Sequence, residues 1–274
     1  MRCLFQPLRQ IFLLAACGCM AFAARAGCSH PIQLPVAPIG LSVFEAPDKS
    51  ISGVYPDILR SVSGKEGCEF VFSMVPRARL EALFEAGRVE MLVPASRSNA
   101  RDALGVFVPM VQSRATILSL ASDRIKLGSA QELINRRELK VGLVRGFDFG
   151  PAYLALVKEL SAQGRVVMDV DAISVARLLQ NNTIDVTIMV PSILLGAIHL
   201  DPRFVALADK LRSEPIEELP WGASGIYLSK TALSDSDRIG LQEMLERASR
   251  TGAVWKAFQR YYPAVALTGS IRAR

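Results

Sequence analysis

Apolar and polar positions alternate along this chain in two recurring patterns: short apolar runs, and longer segments with apolar residues at helical spacing. In the first part of the chain the runs predict strands at 32–39, 69–74 and 89–93, and the spaced segments predict helices at 53–63 and 79–86. Strands that alternate with helices are typical of parallel βαβ units. The pattern therefore predicts an α/β fold.

A second set with the same alternation begins near residue 139. Its predicted elements are strands at 139–144, 166–170, 185–190 and 204–207 and helices at 152–163, 172–179 and 192–199. Helices at 234–250 and 254–261 follow, before a loose tail at 271–274.

Two extended segments, near 117–121 and 218–225, separate the two sets. They predict a two-strand hinge between two lobes, with a ligand cleft that closes by hinge bending. The predicted boundaries are a signal peptide at 1–26, the first lobe at 27–117 with a return segment at 221–265, the second lobe at 118–220, and a C-terminal tail at 266–274.

The N-terminal segment has the three parts of a secretory signal peptide. Arg2 and Arg9 make it basic, an apolar stretch too short to cross a bilayer follows at 11–24, and an Ala-Arg-Ala cleavage site lies at 24–26. The sequence therefore predicts a periplasmic protein. Residues 14–17 resemble a lipobox, which leaves lipid anchoring at Cys17 as the alternative.

Removal of that segment changes the interpretation of charge and cysteine content. The chain has 32 Lys and Arg residues against 26 Asp and Glu, and three of the basic residues lie in the segment, so the mature part carries 29 minus 26, or +3. It has no basic stripe interleaved with aromatic residues, so nucleic-acid binding is not expected. Cys28 and Cys68 remain, and an isolated pair in an oxidising compartment predicts a disulfide, with two unrelated buried thiols as the alternative.

The end of the predicted strand at 89–93 carries chemistry that points to a ligand. The run is followed by Ser96, then by Arg101 and a second apolar run, as expected where a buried strand opens into a cleft. The planar guanidinium of Arg101 suits a carboxylate, although a surface arginine in a strand-to-helix turn has the same pattern. Arg77 begins the preceding helix and either faces the cleft or lies exposed.

Several motifs occur along the chain in a recognisable order. They are GVYPDIL at 53–59, ALFEAGRVE at 82–90, the Ser96, Arg101 and Phe107 spacing, LKVGLVRG at 139–146, LLQNNTIDVTI at 178–188 and GAVWKAFQRYY at 252–262. In this order the chain resembles the bacterial extracellular solute-binding proteins of family 3, the periplasmic components of polar amino-acid uptake systems, over about residues 30–265. The resemblance implies a two-lobed periplasmic binding protein-like fold of type II.

The same resemblance implies a function. The protein would capture a small carboxylate-bearing polar solute, an amino acid or a related compound, by hinge closure for ABC-type uptake. It would act without cofactor or chemical step, as a monomer that docks on an inner-membrane permease. A ligand-sensing protein for a membrane receptor and a periplasmic dehydratase-like enzyme on the same fold are the alternatives. His30 and His199 form no recognisable catalytic set or zinc site with the other residues.

The resemblance assigns Ser96 and Arg101 to the ligand carboxylate, but the chain departs from the family in the second lobe. Phe147 and Asp148 follow Gly146, where the family usually has Ser or Thr. The position at which the family keeps a carboxylate for the ligand ammonium is Val190, or nearby Met189 or Ser192, and none of these is acidic. Either Asp148 takes that role, or the ligand is not an ordinary α-amino acid.

Two aromatic residues complete the predicted ligand site. Phe44 and Tyr55 follow the first predicted strand. Each could stack on a ligand or belong to the core.

Overall fold

A computed structural model of the chain describes residues 27–121 and 126–274. The predicted signal peptide at 1–26 and the lipobox cysteine, Cys17, lie outside the described residues. The described strands are β1 (Ile32–Val36), β2 (Phe44–Glu45), β3 (Ile51–Ser52), β4 (Phe70–Met74), β5 (Met91–Ser96), β6 (Gly105–Ser113), β7 (Thr116–Leu120), β8 (Val141–Val144), β9 (Val166–Asp169), β10 (Val186–Met189), β11 (Leu211–Glu214), β12 (Gly222–Ser229) and β13 (Ile271–Ala273). The described helices are α1 (Val54–Glu66), α2 (Arg77–Glu85), α3 (Asn99–Leu104), α4 (Ala130–Asn135), α5 (Pro151–Ala162), α6 (Ala172–Gln180), α7 (Pro191–Leu200), α8 (Val205–Ala208), α9 (Asp235–Arg250), α10 (Ala253–Tyr261) and α11 (Ala264–Leu267).

The first lobe contains strands from both ends of the described chain. β1 pairs in parallel with β4, and a four-stranded sheet has the order β13-β6-β12-β5, in which neighbouring strands are antiparallel. α1, α9 and α10 pack on one another in this lobe. The long strand β12 brings the chain back from the second lobe, so the first lobe is built from two separate stretches of sequence.

The second lobe is a five-stranded sheet in the order β11-β7-β10-β8-β9. β8 pairs in parallel with β9 and with β10, and α5 and α6 connect these strands. β8 and β10 are buried along their whole length, as expected for parallel strands that helices cover. The α/β class predicted from the hydrophobic pattern is confirmed, and the strands divide between two lobes.

Three predicted elements differ from the structure. The sequence predicts a strand at 204–207, but Phe204 and Leu207 are buried three positions apart, which is helical spacing, and the segment forms the start of α8 with Phe204 as its N-cap. The last strand of the second sheet is instead β11, which pairs with β7. The extended segment near 117–121, expected as a crossing between the lobes, is strand β7 and lies within the second-lobe sheet between β11 and β10. The expected loose tail forms β13, which pairs with β6 and buries Ile271.

The predicted disulfide is present. Cys28 and Cys68 are bonded with their Cα atoms 4.8 Å apart, and the bridge ties the start of the described chain to the turn between α1 and β4. Within residues 27–121 and 126–274, no helix is both long enough and apolar enough to cross a bilayer.

The largest hydrophobic core is continuous between the lobes. Val54 and Phe258 of the first lobe belong to the same cluster of buried residues as Val190 and Leu194 of the second. A core of this kind forms only where the two lobes are in contact, so in this structure the lobes contact each other along one side of the cleft.

Candidate functional site

A small cavity of about 50 Å³ lies between the two lobes. It opens at the carboxyl ends of β5, β8 and β10, which end at Ser96, Val144 and Met189. This is the position at which α/β sheets bind ligands. The first lobe contributes Tyr55, Arg77 and Ser96 among other lining residues, and the second lobe contributes Phe147, Asp148, Phe149, Val190 and Ile193.

Two buried donors in the cavity wall have no partner among the described residues. The hydroxyl of Tyr55 lies beside Ser224 but makes no hydrogen bond of standard geometry, and Nε of Arg77 is equally unpaired. Burial raises the pKa of Tyr55 above its ordinary value, so the hydroxyl keeps its proton and can donate. Buried polar groups without a partner are uncommon in folded proteins. These two donors therefore mark the cavity wall as a place for an acceptor.

Arg77 and Arg101 share one carboxylate, that of Glu81. Arg101 donates from Nε to one oxygen of Glu81 at 3.2 Å and from Nη2 to the other at 2.9 Å. Arg77 donates to the same carboxylate from Nη2, and from Nη1 to the carbonyl of Pro94 at 2.7 Å. Both arginines are about 95 % buried, with exposures of 4 % and 5 %. Burial lowers the pKa of Arg77, and the Glu81 carboxylate opposes that shift.

Asp148 joins this group from the second lobe. Its Oδ2 lies 3.8 Å from Nη1 of Arg101, and its Oδ1 accepts from the backbone N–H of Gly150 at 2.8 Å. The ion pair therefore crosses the cleft. We call Arg77, Glu81, Arg101 and Asp148 the four-charge cluster. It has two positive and two negative side chains and no net charge.

Two backbone contacts join the lobes beside the cavity. Gly146 has φ +83°, and a Cβ at this position would lie 3.0 Å from the backbone N and Cα of Ala78 at the start of α2. In α7, a Cβ on Gly196 would lie 2.5 Å from the N of Leu41 and 3.0 Å from the Cα of Gly40. We call the second of these the glycine contact. Side chains larger than hydrogen would separate the lobes at both places.

Aromatic rings line the second-lobe wall. Phe147 packs edge-on against Phe149 with centroids 5.5 Å apart, and Phe149 packs in the same way against Tyr153 at 5.0 Å. Phe147 and Phe149 both reach the cavity. The position that the family resemblance gives to an acidic residue holds Val190, which is buried in the same wall.

The predicted site residues come together only in part. Ser96, Arg77, Tyr55, Phe147 and Asp148 line the cavity. Arg101 lies behind Arg77 and donates from Nη1 to the carbonyl of Ser96 at 2.9 Å, so part of its hydrogen-bonding capacity is used within the first lobe.

Phe44 is not brought into the cavity. It lies on β2, and its ring packs edge-on against Tyr261 with centroids 6.3 Å apart. Glu81 was not predicted as a site residue, although its position four residues after Arg77 on a helix was a signal that the two could pair. Among the described residues no cluster of three or more potential metal ligands occurs.

The fold of the chain is similar to that of several proteins with solved structures. No protein-family model matches the chain, and no curated protein sequence does either. The arginine-, lysine- and histidine-binding protein ArtJ from Geobacillus stearothermophilus aligns at 14 % identity and a TM-score of 0.68, covering 85 % of this chain and 95 % of its own. The protein EhuB in complex with hydroxyectoine aligns at 18 % identity and 0.67, covering 87 % and 91 %. A histidine kinase sensor domain with similarity to periplasmic binding proteins aligns at 16 % identity and 0.67, covering 86 % and 97 %.

The chain has the periplasmic binding protein fold. The alignments span nearly all of the described residues and both lobes, which confirms the two-lobed architecture expected from the sequence. At these identities the likeness is one of fold. In the periplasmic binding protein fold of this chain, the cavity, the four-charge cluster and the glycine contact all lie at the junction of the two lobes.

Proposed function

We propose that this protein is a periplasmic solute-binding protein that closes its two lobes over a small, polar, carboxylate-bearing solute and delivers it to an inner-membrane permease of an ABC-type uptake system. The observation that carries the proposal is the pair of buried, unpartnered donors, Tyr55 Oη and Arg77 Nε, in a cavity walled by both lobes. A solute acceptor placed there would satisfy both donors of the first lobe, and the second-lobe wall would cover the solute when the lobes are together. The proposal includes no chemical step.

The polar groups suggest how such a solute lies. Arg77 and Tyr55, supported by Ser96 and Arg101, receive its carboxylate from the first lobe. Asp148 faces them from the second lobe and is the acid that can accept an ammonium or hydroxyl group, since Val190 cannot. Phe147 covers the solute from the same side. Closure then follows from the greater number of contacts in the closed form.

A receptor-docking role is the second candidate. One of the structural neighbours is the sensor domain of a histidine kinase, and closure around a solute would serve equally to present a surface to a membrane receptor. Co-purification of the protein with solubilised permease or receptor components in the presence of its solute would separate the two roles.

Tyr55→Phe tests the ligand site most directly. The hydroxyl makes no protein hydrogen bond of standard geometry, so its removal leaves the free energy of unfolding unchanged or slightly higher, while the affinity for a bound solute falls by about tenfold, as for loss of one hydrogen bond. Thermal-shift screening against amino acids and small carboxylates, followed by calorimetry, measures both quantities.

Tyr261→Phe is the matched control. Its hydroxyl donates to Asp57 at 2.7 Å outside the cavity, so this variant loses stability and keeps its affinity. Equal affinity of the Tyr55→Phe variant and the wild type for every solute found would contradict the proposed site.

A further inference from the structure

We propose that Glu81 determines the charge of the solute that this cleft accepts, by holding a permanent internal carboxylate on Arg77 and Arg101. Among carboxylate-bearing solutes the cleft then selects those of zero net charge, the zwitterions, over net anions, and an uncharged analogue meets no charge penalty either. This inference rests on the proposed solute-binding function and deepens it.

The geometry of Glu81 leaves little positive charge for a ligand. One edge of the Arg101 guanidinium, Nε and Nη2, is occupied by both carboxylate oxygens, at 3.2 and 2.9 Å. The same carboxylate accepts from Arg77, and the Glu81 side chain is only 12 % exposed. A bidentate pair between buried groups is not displaced by solvent in the way a surface pair is.

Asp148 supplies the second of the two negative charges that balance Arg77 and Arg101. It lies 3.8 Å from Nη1 of Arg101, which also donates to the carbonyl of Ser96, and it comes from the opposite lobe with its side chain 17 % exposed. The four-charge cluster is therefore neutral before any solute enters. An anionic solute would add a third negative charge beside two carboxylates that are largely buried, and like charges repel most where solvent screens them least.

A solute without net charge meets no such penalty. The carboxylate of a zwitterion lies toward Arg77, and its positive group lies toward Asp148 and loosens the ion pair that crosses the cleft. An uncharged amide or hydroxyl solute accepts from Arg77 Nε and Tyr55 Oη in the same place. Both leave the sum of charges at zero.

The test uses sets of probes that share a carbon skeleton and differ in charge: an α-amino acid, the corresponding α-hydroxy acid and its α-hydroxy amide. Calorimetry on the wild type is expected to give the hydroxy acid an affinity at least about tenfold below that of the tighter of the two neutral probes. Glu81→Gln keeps an acceptor for the arginines but removes the charge, and it is expected to raise the affinity for the hydroxy acid, relative to the hydroxy amide, by about tenfold or more.

Glu85→Gln is the matched control. It makes the same change on the exposed side of α2 and is expected to leave all three affinities unchanged. Asp148→Asn removes one negative charge from the second lobe and is expected to shift selection in the same direction as Glu81→Gln, which covers the case in which the Glu81 variant does not fold.

Three outcomes would overturn the inference. If the wild type binds the hydroxy acid as tightly as its neutral counterparts, or if the folded Glu81→Gln and Asp148→Asn variants bind the probes in unchanged ratios, the charge role of Glu81 is wrong while solute binding stands. If no probe or small metabolite of any charge binds the wild type, solute binding itself fails, and the inference fails with it.

Discussion

Gly196 offers the sharpest test of whether the two lobes close on one another as described. It lies in the buried helix α7 of the second lobe, directly against the backbone of Gly40 and Leu41 in the first lobe. Gly196→Ala places a methyl group 2.5 Å from the N of Leu41 and 3.0 Å from the Cα of Gly40. These neighbours are backbone atoms, so they cannot turn aside as a side chain would.

The substitution acts against the closed form. In that form the added methyl overpacks a tight contact, which costs about 1–3 kcal/mol. In the open form the contact is absent. The gain of about 0.5–1 kcal/mol for alanine over glycine in a helix interior is present in both forms and cancels from their comparison, so the closed form is disfavoured by the overpacking cost alone. Because the solute binds the closed form, we expect its apparent affinity to fall by about 5- to 150-fold.

The assay combines calorimetry with a distance measurement between spin labels on the two lobes. Gly196→Ala is expected to lengthen the inter-lobe distance and weaken binding of every solute, without lowering the melting temperature of the solute-free protein. Gly240→Ala is the control: Gly240 lies within α9, a Cβ there meets nothing within 4 Å, and only the gain in helix stability is expected. Wild-type distances and affinities in the Gly196→Ala protein would refute the glycine contact as a closing surface.

Two further predictions concern stability. Replacement of Cys28 and Cys68 by serine releases a loop with a sequence separation of 40 and should lower the free energy of unfolding by about 4 kcal/mol in the chain-entropy model, measured by urea denaturation with reduced wild type as the comparison. Reduced and oxidised wild type of equal stability would contradict it. For Asp237, burial alone would raise the pKa, but hydrogen bonds from Ser29 and Ser234 outweigh it and the pKa lies below the ordinary 3.8. The ionised Asp237 carboxylate therefore stabilises the folded protein above pH 3.8, and this stabilisation is lost as the pH falls through the folded-state pKa. Asp237→Asn should be less stable than wild type at neutral pH and equally stable at the acid end of a pH series, and a constant difference at all pH values would argue against the linkage.

The elements that could be predicted from sequence are long helices with a clear period and strands that lie in mainly apolar runs. Helix α9 has enough positions for its period to be read, whereas β8 and β10 have four residues each and stand out because they lie in the mainly apolar runs at 139–144 and 185–190. The order of these elements leads to the two-lobed fold. β11 and β13 could not be found in this way. β11 is largely polar, β13 has only three residues with an arginine in the middle, and each pairs with a strand that is distant in sequence.

The sequence singled out residues whose type is unusual in its context and passed over those whose type is ordinary. Arg101 after a buried strand and Asp148 in a glycine-bounded turn are unusual, and both belong to the four-charge cluster. Glu81 is an acid on an amphipathic helix, a pattern that normally indicates a solvated face. Its role depends on Arg101, which comes from α3, twenty residues later. Gly196 is likewise indistinguishable from any helical glycine until Gly40 is placed against it.

Affinity and selectivity therefore depend on different contacts at the same junction. The glycine contact involves backbone atoms and no charge, so it contributes equally whatever solute is bound, whereas the four-charge cluster distinguishes solutes by their charge. Gly196→Ala should then lower all affinities by one factor, and Glu81→Gln should change their ratios. In the double variant the two effects should add in free energy, because separate interactions are additive. If the double variant no longer shows the change in affinity ratios that Glu81→Gln causes alone, the four-charge cluster selects by charge only while the glycine contact is formed. Selection by charge would then require the closed form.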